Sequence, residues 1–130
     1  MEKTRITHPD RKEDFVTGAY SDGVVVGDLM FVSGQTPVDF STSTVMLGTI
    51  EEETARTLNN IKAILERGGA SLENVVKVTV HLASSSDFQR FNAEYAKFFT
   101  GVRPARTTVE SGLQHGIKVE IDVIAKLDAK

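Results

Sequence analysis

Residues 50–67 carry the pattern that most restricts the fold of this chain. Apolar and small residues recur there at steps of three and four, and Gly68-Gly69 follows at once. That spacing forms one stripe along a helix, and glycine commonly ends a helix. Thr49 and Glu52 have the spacing of a capping box at its start. The sequence therefore predicts a helix over about 50–67 whose stripe is buried against a sheet: Ile50, Thr54, Leu58, Ile61 and Leu65.

A hairpin is predicted before this helix. Val24–Val26 and Leu29–Ser33 are apolar runs separated by Gly27-Asp28, which is turn chemistry, and Gly34 is expected to end the second strand. The segment from Pro37 to Gly48 is rich in Ser and Thr without a sustained period, so we expect a loop there.

A strand and a second helix are predicted after the first helix. Apolar residues alternate with polar ones over 76–82, the pattern of a strand with two unlike faces: Val76, Val78, Val80 and Leu82 against Lys77, Thr79 and His81. Ser84 with Asp87 is placed to cap a helix beyond it. That helix has one aromatic stripe, which is typical of core packing: Phe88, Phe91, Tyr95 and Phe98.

Two closing strands complete an α+β domain in which two helices cover one face of the sheet. They are the stretch Arg103–Val109 and the alternating run Ile117–Val123. Apolar residues also point toward the other face, among them Val25, Phe31 and Ile124. A surface of that kind is normally hidden by a partner, so the sequence predicts an oligomer.

Composition narrows the function classes. The length predicts one domain over residues 1–130. A net charge of −3, with no cluster of Lys and Arg, does not favour nucleic acid as a partner. The chain has no cysteine, which excludes disulfides, a thiol nucleophile and cysteine-ligated metal sites. No apolar run approaches the ~20 residues of a membrane span, and we expect a cytoplasmic protein without a membrane partner.

No cofactor is expected. His8, His81 and His115 are scattered without metal-ligand spacing, so a metal site is not predicted. A glycine-rich phosphate loop and a dinucleotide fingerprint are both missing from the sequence.

Arg106 and Glu120 suggest chemistry. Arginine presents a planar fork of donors that matches a carboxylate, and a glutamate on an adjacent strand could hold or deprotonate a water beside it. Two plainer interpretations stay open from the residues alone. Arg106 could pair with a carboxylate of the neighbouring strand, and Glu120 could be a solvated charge between Lys118 and Asp122.

Several fragments in order along nearly the whole chain resemble the RidA/YjgF family. The most specific is the Pro-Ala-Arg-Thr motif at 104–107, followed by a Val-Glu-Ile-Asp strand at 119–122. The others precede it in the family's order: Gly18-Ala19-Tyr20-Ser21, Val32-Ser33-Gly34-Gln35, Phe91-Asn92-Ala93-Glu94-Tyr95 and Phe98-Phe99.

The resemblance implies a chorismate-mutase-like fold, assembled as a homotrimer with ligand clefts between subunits. It implies a hydrolytic deaminase of small enamines or imines such as 2-aminoacrylate, giving a 2-oxo acid and ammonia without a cofactor. In that interpretation Arg106 binds the substrate carboxylate, helped by the amides of Thr107 and Thr108, and Glu120 activates water. The remaining residues implied in the cleft are Tyr20, Ser33, Gly34 and Asn92. From the residues alone, Tyr20 and Ser33 could simply cap backbone, and Asn92 could be an exposed helix residue. Arg103 is interpreted as a loop or rim residue.

Some positions depart from the family pattern. Thr108 stands where archetypal members often have cysteine, Ala19 replaces a proline and Asp22 a glutamine or histidine. The loop at Gln114-His115 is also shorter. Three alternatives therefore remain: a non-catalytic module that binds 2-oxo acids, an endoribonuclease-type translation inhibitor, and a pathway-specific deaminase of a larger amino-enoate.

Overall fold

A computed structural model describes residues 1–12 and 18–128. Six strands form one mixed sheet in the order β1-β2-β3-β8-β6-β7, and β4 and β5 form a separate small hairpin. All neighbours in the large sheet are antiparallel except β6 and β7, which are parallel. The elements, in chain order, are β1 (Thr4–Ile6), β2 (Gly23–Val26), β3 (Leu29–Gln35), β4 (Val38–Asp39), β5 (Thr44–Val45), α1 (Ile50–Arg67), β6 (Val75–Leu82), α2 (Phe88–Ala96), β7 (Ala105–Glu110) and β8 (Val119–Lys126).

Helix α1 has the bounds and the cap that the sequence predicts. The Thr49 hydroxyl accepts a hydrogen bond from the Glu52 amide at 3.1 Å, and the Glu52 carboxylate accepts one from the Thr49 amide at 2.9 Å. The helix ends at Gly68, whose amide bonds back to the last turn. Its predicted stripe is buried against β3 and β8, so the helix is held by packing as well as by its cap.

The predicted hairpin of β2 and β3 is confirmed, with Gly27 at φ 59° in the turn. Gly34 does not end β3, which continues to Gln35 through a register shift against β8. The segment 37–48, predicted as a loop, contains the short β4–β5 hairpin. β1 was not predicted, and it pairs with β2 at the sheet edge.

The alternation predicted for β6 holds from Val78 onward and fails at Val76. Val75 is buried instead, and Val76 is 49% exposed, because the pairing with β8 shifts register between Val75 and Lys77. A bulge of this kind moves the following side chains to the other face.

The second helix begins at Phe88, after a 3-10 turn over Ser85–Asp87. Ser84 caps that turn through a hydrogen bond from the Ser86 amide, whereas the Asp87 side chain caps nothing. Of the predicted aromatic stripe, Phe91 and Tyr95 are buried, and the buried Phe99 continues it beyond the helix. Phe98 is partly buried and packs against the core, whereas Phe88 is exposed.

One face of the sheet carries both helices, and the other carries none of the described elements. Along β8 the buried residues Val119, Ile121, Val123 and Ala125 alternate with the half-buried Glu120, Asp122 and Ile124. Phe31, paired with Ile124, is 41% exposed on the second face. No helix among the described residues is long and apolar enough to cross a membrane.

Candidate active site

Arg106 lies on the edge strand β7 and points toward the helices. It pairs in register with the fully buried Val78, so both side chains lie on the helix-covered face. Its guanidinium carbon is 4.7 Å from the centre of the Tyr95 ring and 5.7 Å from the rings of Phe88 and Phe91. This geometry allows cation–π attraction, which holds the charged group against the aromatic stripe of α2.

No carboxylate among the described residues pairs with Arg106. The interpretation of this arginine as the partner of an acidic residue on a neighbouring strand therefore has no support within the described chain. Burial raises the pKa of Tyr95, and the positive charge of Arg106 opposes that rise. A half-buried guanidinium on an aromatic surface, without an anion beside it, is suited to bind an anionic ligand.

The two threonines after Arg106 lie on different faces of β7. Thr108 is on the face of Arg106, and its hydroxyl oxygen is buried without a hydrogen-bond partner among the described residues. Thr107 is on the other face, where its hydroxyl accepts a hydrogen bond from the Lys77 ammonium at 2.7 Å. Asn92 is exposed on α2, one residue beyond Phe91. Its place beside Arg106 stays a prediction, and we call Arg106 and Thr108 the arginine half-site.

Glu120 lies at the start of β8 on the face without helices, paired with His81 of β6. It makes no hydrogen bond or ion pair with the described residues. Its carboxylate lies directly against Gly34 of β3, where a Cβ would be only 2.5 Å from Oε2. The Glu120 side chain is half-buried, and its carboxylate is available to accept a proton or a hydrogen bond.

Ser33 and Tyr20 lie at the same end of the sheet as Glu120. The Ser33 amide donates to the Asp22 carbonyl at 2.9 Å, and its hydroxyl donates to the Ser21 carbonyl at 2.5 Å. Because that hydroxyl proton is used, the Ser33 oxygen remains available only as an acceptor. Tyr20 is next to Ser21 in the chain and is 55% exposed. We call Tyr20, Ser33, Gly34 and Glu120 the glutamate half-site.

The two half-sites do not meet within one chain. Glu120 was expected on a strand adjacent to that of Arg106, and this was wrong, because β6 lies between β7 and β8. Two strand spacings amount to about 10 Å. The side chains also point to opposite faces, since Arg106 aligns with Val78 and Glu120 with His81. Periodicity gives the face of each residue on its own strand but not the order of the strands.

Comparison with known proteins shows the family of the chain. The family described as Endoribonuclease L-PSP, which is the YjgF/RidA family, matches residues 12–127. The protein belongs to this family. It is similar to the RutC family protein SSO3206 of Saccharolobus solfataricus, with 51% identity over 84% of this chain and 87% of that protein.

Two solved structures of similar proteins show the same fold. TM0215 of Thermotoga maritima is 46% identical, has a TM-score of 0.88, and the match covers 97% of this chain and 99% of that one. Escherichia coli TdcF with bound serine is 30% identical, with a TM-score of 0.85 over 96% of this chain and 100% of that one. The small α+β fold with two helices and a mixed sheet is thus that of YjgF/RidA proteins.

Asp22, which departs from the YjgF/RidA pattern, has a structural partner. Its carboxylate is buried, forms a two-point ion pair with Arg11 and accepts a hydrogen bond from the His8 amide at 2.9 Å. The residue therefore anchors residues 8–11 to the start of β2. Its neighbour Ser21 accepts the Ser33 hydroxyl, so Asp22 lies close to the glutamate half-site without being part of it.

Tyr95 lies against Arg106, and the sequence did not predict this contact. The aromatic stripe predicted core packing, and Tyr95 is indeed buried. Its proximity to Arg106 follows from packing of α2 on β7 and has no signal in the local sequence. No group of His, Asp or Glu among the described residues is arranged to hold a metal ion.

Proposed function

We propose that this protein is a hydrolytic deaminase of small imines and enamines that carry a carboxylate, of the 2-aminoacrylate and 2-iminopropanoate type. The observation that carries the proposal is the Arg106 guanidinium, held on the aromatic surface of α2 with no carboxylate partner among the described residues. An α-imino acid has one carboxylate and one electrophilic carbon, and so requires an anion site and a water-activating base.

Arg106 is the anion site. A guanidinium binds a carboxylate through two parallel hydrogen bonds, which fix the orientation of the ligand as well as its position. Because β7 is an edge strand and successive amides point to opposite sides, one of the Thr107 and Thr108 amides bonds to β6 and the other is a further donor for the same carboxylate. TdcF, a similar protein whose structure contains bound serine, supports a small amino acid-like ligand for this fold.

Glu120 is the base, and we propose that it is supplied by a second copy of the chain. Within one chain the sheet separates Glu120 from Arg106, so a complete site requires the glutamate half-site of one subunit to face the arginine half-site of another. The face that carries Glu120 also exposes Phe31 and bears Ile124, which favours burial in an assembly. The family resemblance favours a homotrimer, with three such sites between subunits.

The reaction follows from these groups. Glu120 accepts a proton from water while the water oxygen bonds to the imine carbon, and the C=N π pair moves to nitrogen. The Glu120 carboxylic acid then returns the proton to nitrogen. Glu120 then takes the hydroxyl proton of the carbinolamine and passes it to the nitrogen, the C=O bond forms as the C–N bond breaks, and ammonia and a 2-oxo acid leave. Holding the carboxylate fixes the imine carbon near the water, which lowers the entropic part of the barrier.

A pathway-specific deaminase of a larger amino-enoate would use the same two residues. The open side of the arginine half-site is bordered by the exposed ring of Phe88, which is the boundary that a longer substrate would meet.

Two further functions remain for comparison. A binding module for 2-oxo acids would keep the Arg106 contact and hydrolyse nothing. The family description names an endoribonuclease, yet RNA binding requires a cluster of cations that contacts phosphates, and the net charge of −3 does not supply one.

The deciding experiment is a panel of imino acids generated in place by amino-acid oxidases, with semicarbazide competing for the imine. We expect the protein to lower semicarbazone formation, and Glu120→Gln to reduce the rate ~100–10,000-fold. Binding of a 2-oxo acid, measured by calorimetry, should change little in that variant. If the protein binds the 2-oxo acid but leaves semicarbazone formation at its blank value for every substrate, it is the binding module. Cleavage of single-stranded RNA by the same preparation would favour the nuclease.

A further inference from the structure

The carboxylate of Glu120 occupies the space that a side chain at residue 34 would fill. A Cβ placed on Gly34 would lie 2.5 Å from Oε2, 3.0 Å from Cδ and 3.3 Å from Cγ of Glu120. In proteins a Cβ atom essentially never lies within 3.0 Å of a non-bonded heavy atom from elsewhere in the chain. Any residue other than glycine at 34 must therefore displace the Glu120 carboxylate.

Backbone conformation does not explain this glycine. Glycine is usually required where φ is positive, because a Cβ clashes with the backbone there. Gly34 is not among the positive-φ residues of the described chain. Residue 34 is therefore a position where the small size of glycine matters, because it leaves room for the Glu120 carboxylate.

The backbone at Gly34 is itself held in place. From Val32 to Gln35, three steps along β3 match two steps along β8, from Val123 to Ile121, so β3 bulges at Ser33-Gly34. Both sides of the bulge are tied down. Ser33 bonds to the carbonyls of Asp22 and Ser21, and the buried Gln35 side chain donates to the Ser33 carbonyl at 3.1 Å.

We propose that Gly34 is a positioning residue for Glu120: the fixed, side-chain-free bulge forms the surface against which the carboxylate lies. Glu120 has no hydrogen-bond partner among the described residues to orient it, so this contact is what limits its position. Because the base must stand within hydrogen-bond reach of the attacking water, the bulge sets the geometry of the proton transfer. This inference rests on the proposed deaminase function.

The test is Gly34→Ala in the full-length assembled protein, with Gly112→Ala as the matched control. Gly112 is exposed, has ordinary φ and has open space around its Cβ direction. In Gly34→Ala the flexible end of Glu120 must swing away, which leaves the fold intact. A misplacement of about 1 Å costs on the order of 100-fold, and we expect a loss of that size in kcat with KM and Tm near wild type. Gly112→Ala should match wild type in all three.

A double-mutant cycle separates positioning of Glu120 from other roles of Gly34. If Gly34 acts through Glu120, adding Gly34→Ala to Glu120→Gln should change kcat by less than about twofold, because the base is already lost. An equal loss in both backgrounds, or a rise in KM in both, would show that residue 34 contacts substrate directly. A large drop in Tm would show a structural role. Each of these results overturns the proposal.

A readout that needs no turnover keeps this inference separate from the proposed function. The ¹³C chemical shift of the Glu120 side-chain carboxyl, assigned by its absence in Glu120→Gln, should move in Gly34→Ala and stay unchanged in Gly112→Ala. If the wild type hydrolyses no imine while this signal moves as expected, the deaminase is wrong and the positioning contact stands. An unmoved signal in Gly34→Ala contradicts the positioning role whatever the activity.

Discussion

The guanidinium of Arg106 and the carboxylate of Glu120 lie on opposite faces of one sheet, with β6 between their strands. A single chain therefore cannot bring both groups to one small substrate without rebuilding the sheet. If both act on the same molecule, each site must take one of them from each of two chains. This relationship makes the deaminase proposal testable by mixing variants.

Arg106→Ala and Glu120→Gln should each be inactive alone and should restore activity when mixed. After subunits exchange at random in equal amounts, about a quarter of the interfaces in a symmetric oligomer combine an intact Arg106 with an intact Glu120. We expect about a quarter of wild-type kcat per site, measured on imino acids after mild unfolding and refolding together. Activity that stays at the level of the separate variants would place the two residues in different sites.

Arg106→Ala should lose about 3 kcal/mol or more in kcat/KM, because it removes a charge-assisted two-point contact with the carboxylate. Arg103→Ala is the natural control. That side chain donates to the Phe99 carbonyl at 2.8 Å and is exposed in the loop before β7, so its loss should be much milder. Near-normal turnover in Arg106→Ala would eliminate the carboxylate contact.

The ring of Tyr95 should matter to ligand binding through Arg106. Tyr95→Phe keeps the ring beneath the guanidinium. Tyr95→Leu removes a cation–π contact of about 1 kcal/mol, so the Arg106 side chain is no longer held in one orientation by this ring. Because ~1 kcal/mol is about a fivefold change in affinity, we expect calorimetry with a 2-oxo acid to show about fivefold weaker binding in Tyr95→Leu. Binding by Tyr95→Phe should change little. Phe88→Leu, at a more exposed ring 5.7 Å from Arg106, reports the same effect with less risk to the core. Equal affinities in all three variants would show that the rings do not orient the arginine.

Assembly should depend on the helix-free face. Ile124→Lys adds a charge next to Phe31 on that face, and burial of an unpaired charge is costly. Light scattering should report loss of the wild-type oligomer, while circular dichroism shows the helices retained. Val102→Lys is the control, since Val102 is fully exposed in the loop before β7. A wild-type protein that is monomeric at micromolar concentration would contradict the proposed trimer.

The parts of the fold that the sequence predicted are those specified locally. The capping box at Thr49 and the glycines after Arg67 specify α1 within a few residues, and Gly27 specifies the β2–β3 turn. β1 was not predicted because three residues are too few to show an alternating pattern. Its pairing with β2, which lies well beyond it in the sequence, has no local signal. Val76 was misassigned because a bulge depends on the pairing partner.

The sequence named candidate site residues, but it did not predict how the fold arranges them. The Pro-Ala-Arg motif and the strand that carries Glu120 named both groups as candidates, and their roles in binding and catalysis stay predictions. Their separation by β6 is a property of strand order, which depends on long-range pairing. The Gly34 contact depends on a bulge, and the Tyr95 contact depends on the packing of a helix on a strand.

Asp122 and Asp28 should affect stability with opposite signs. Burial raises the pKa of Asp122 above its ordinary value, although the positive charges of His81 and Lys77 oppose this. A carboxyl whose folded pKa exceeds its unfolded pKa of about 3.9 weakens folding once it is ionised. Asp122→Asn should therefore raise the free energy of unfolding at neutral pH, and the gain should shrink as pH falls through the raised pKa and vanish below about 3.9.

Asp28 is the opposite case. A hydrogen bond from Lys126, at 2.9 Å, together with its charge lowers the pKa of Asp28 below its ordinary value. The ionised Asp28 raises the free energy of unfolding at pH values above its pKa in the unfolded chain, and this contribution is lost as the pH falls through its pKa in the folded protein. Asp28→Asn should therefore lower the free energy of unfolding at neutral pH. The effect should be small and should weaken in high salt, because both side chains are exposed. Urea unfolding of both variants and wild type between pH 3 and 7 measures the two curves. If the free energy of unfolding changes with pH in the same way in both variants, burial does not raise the pKa of Asp122 as described.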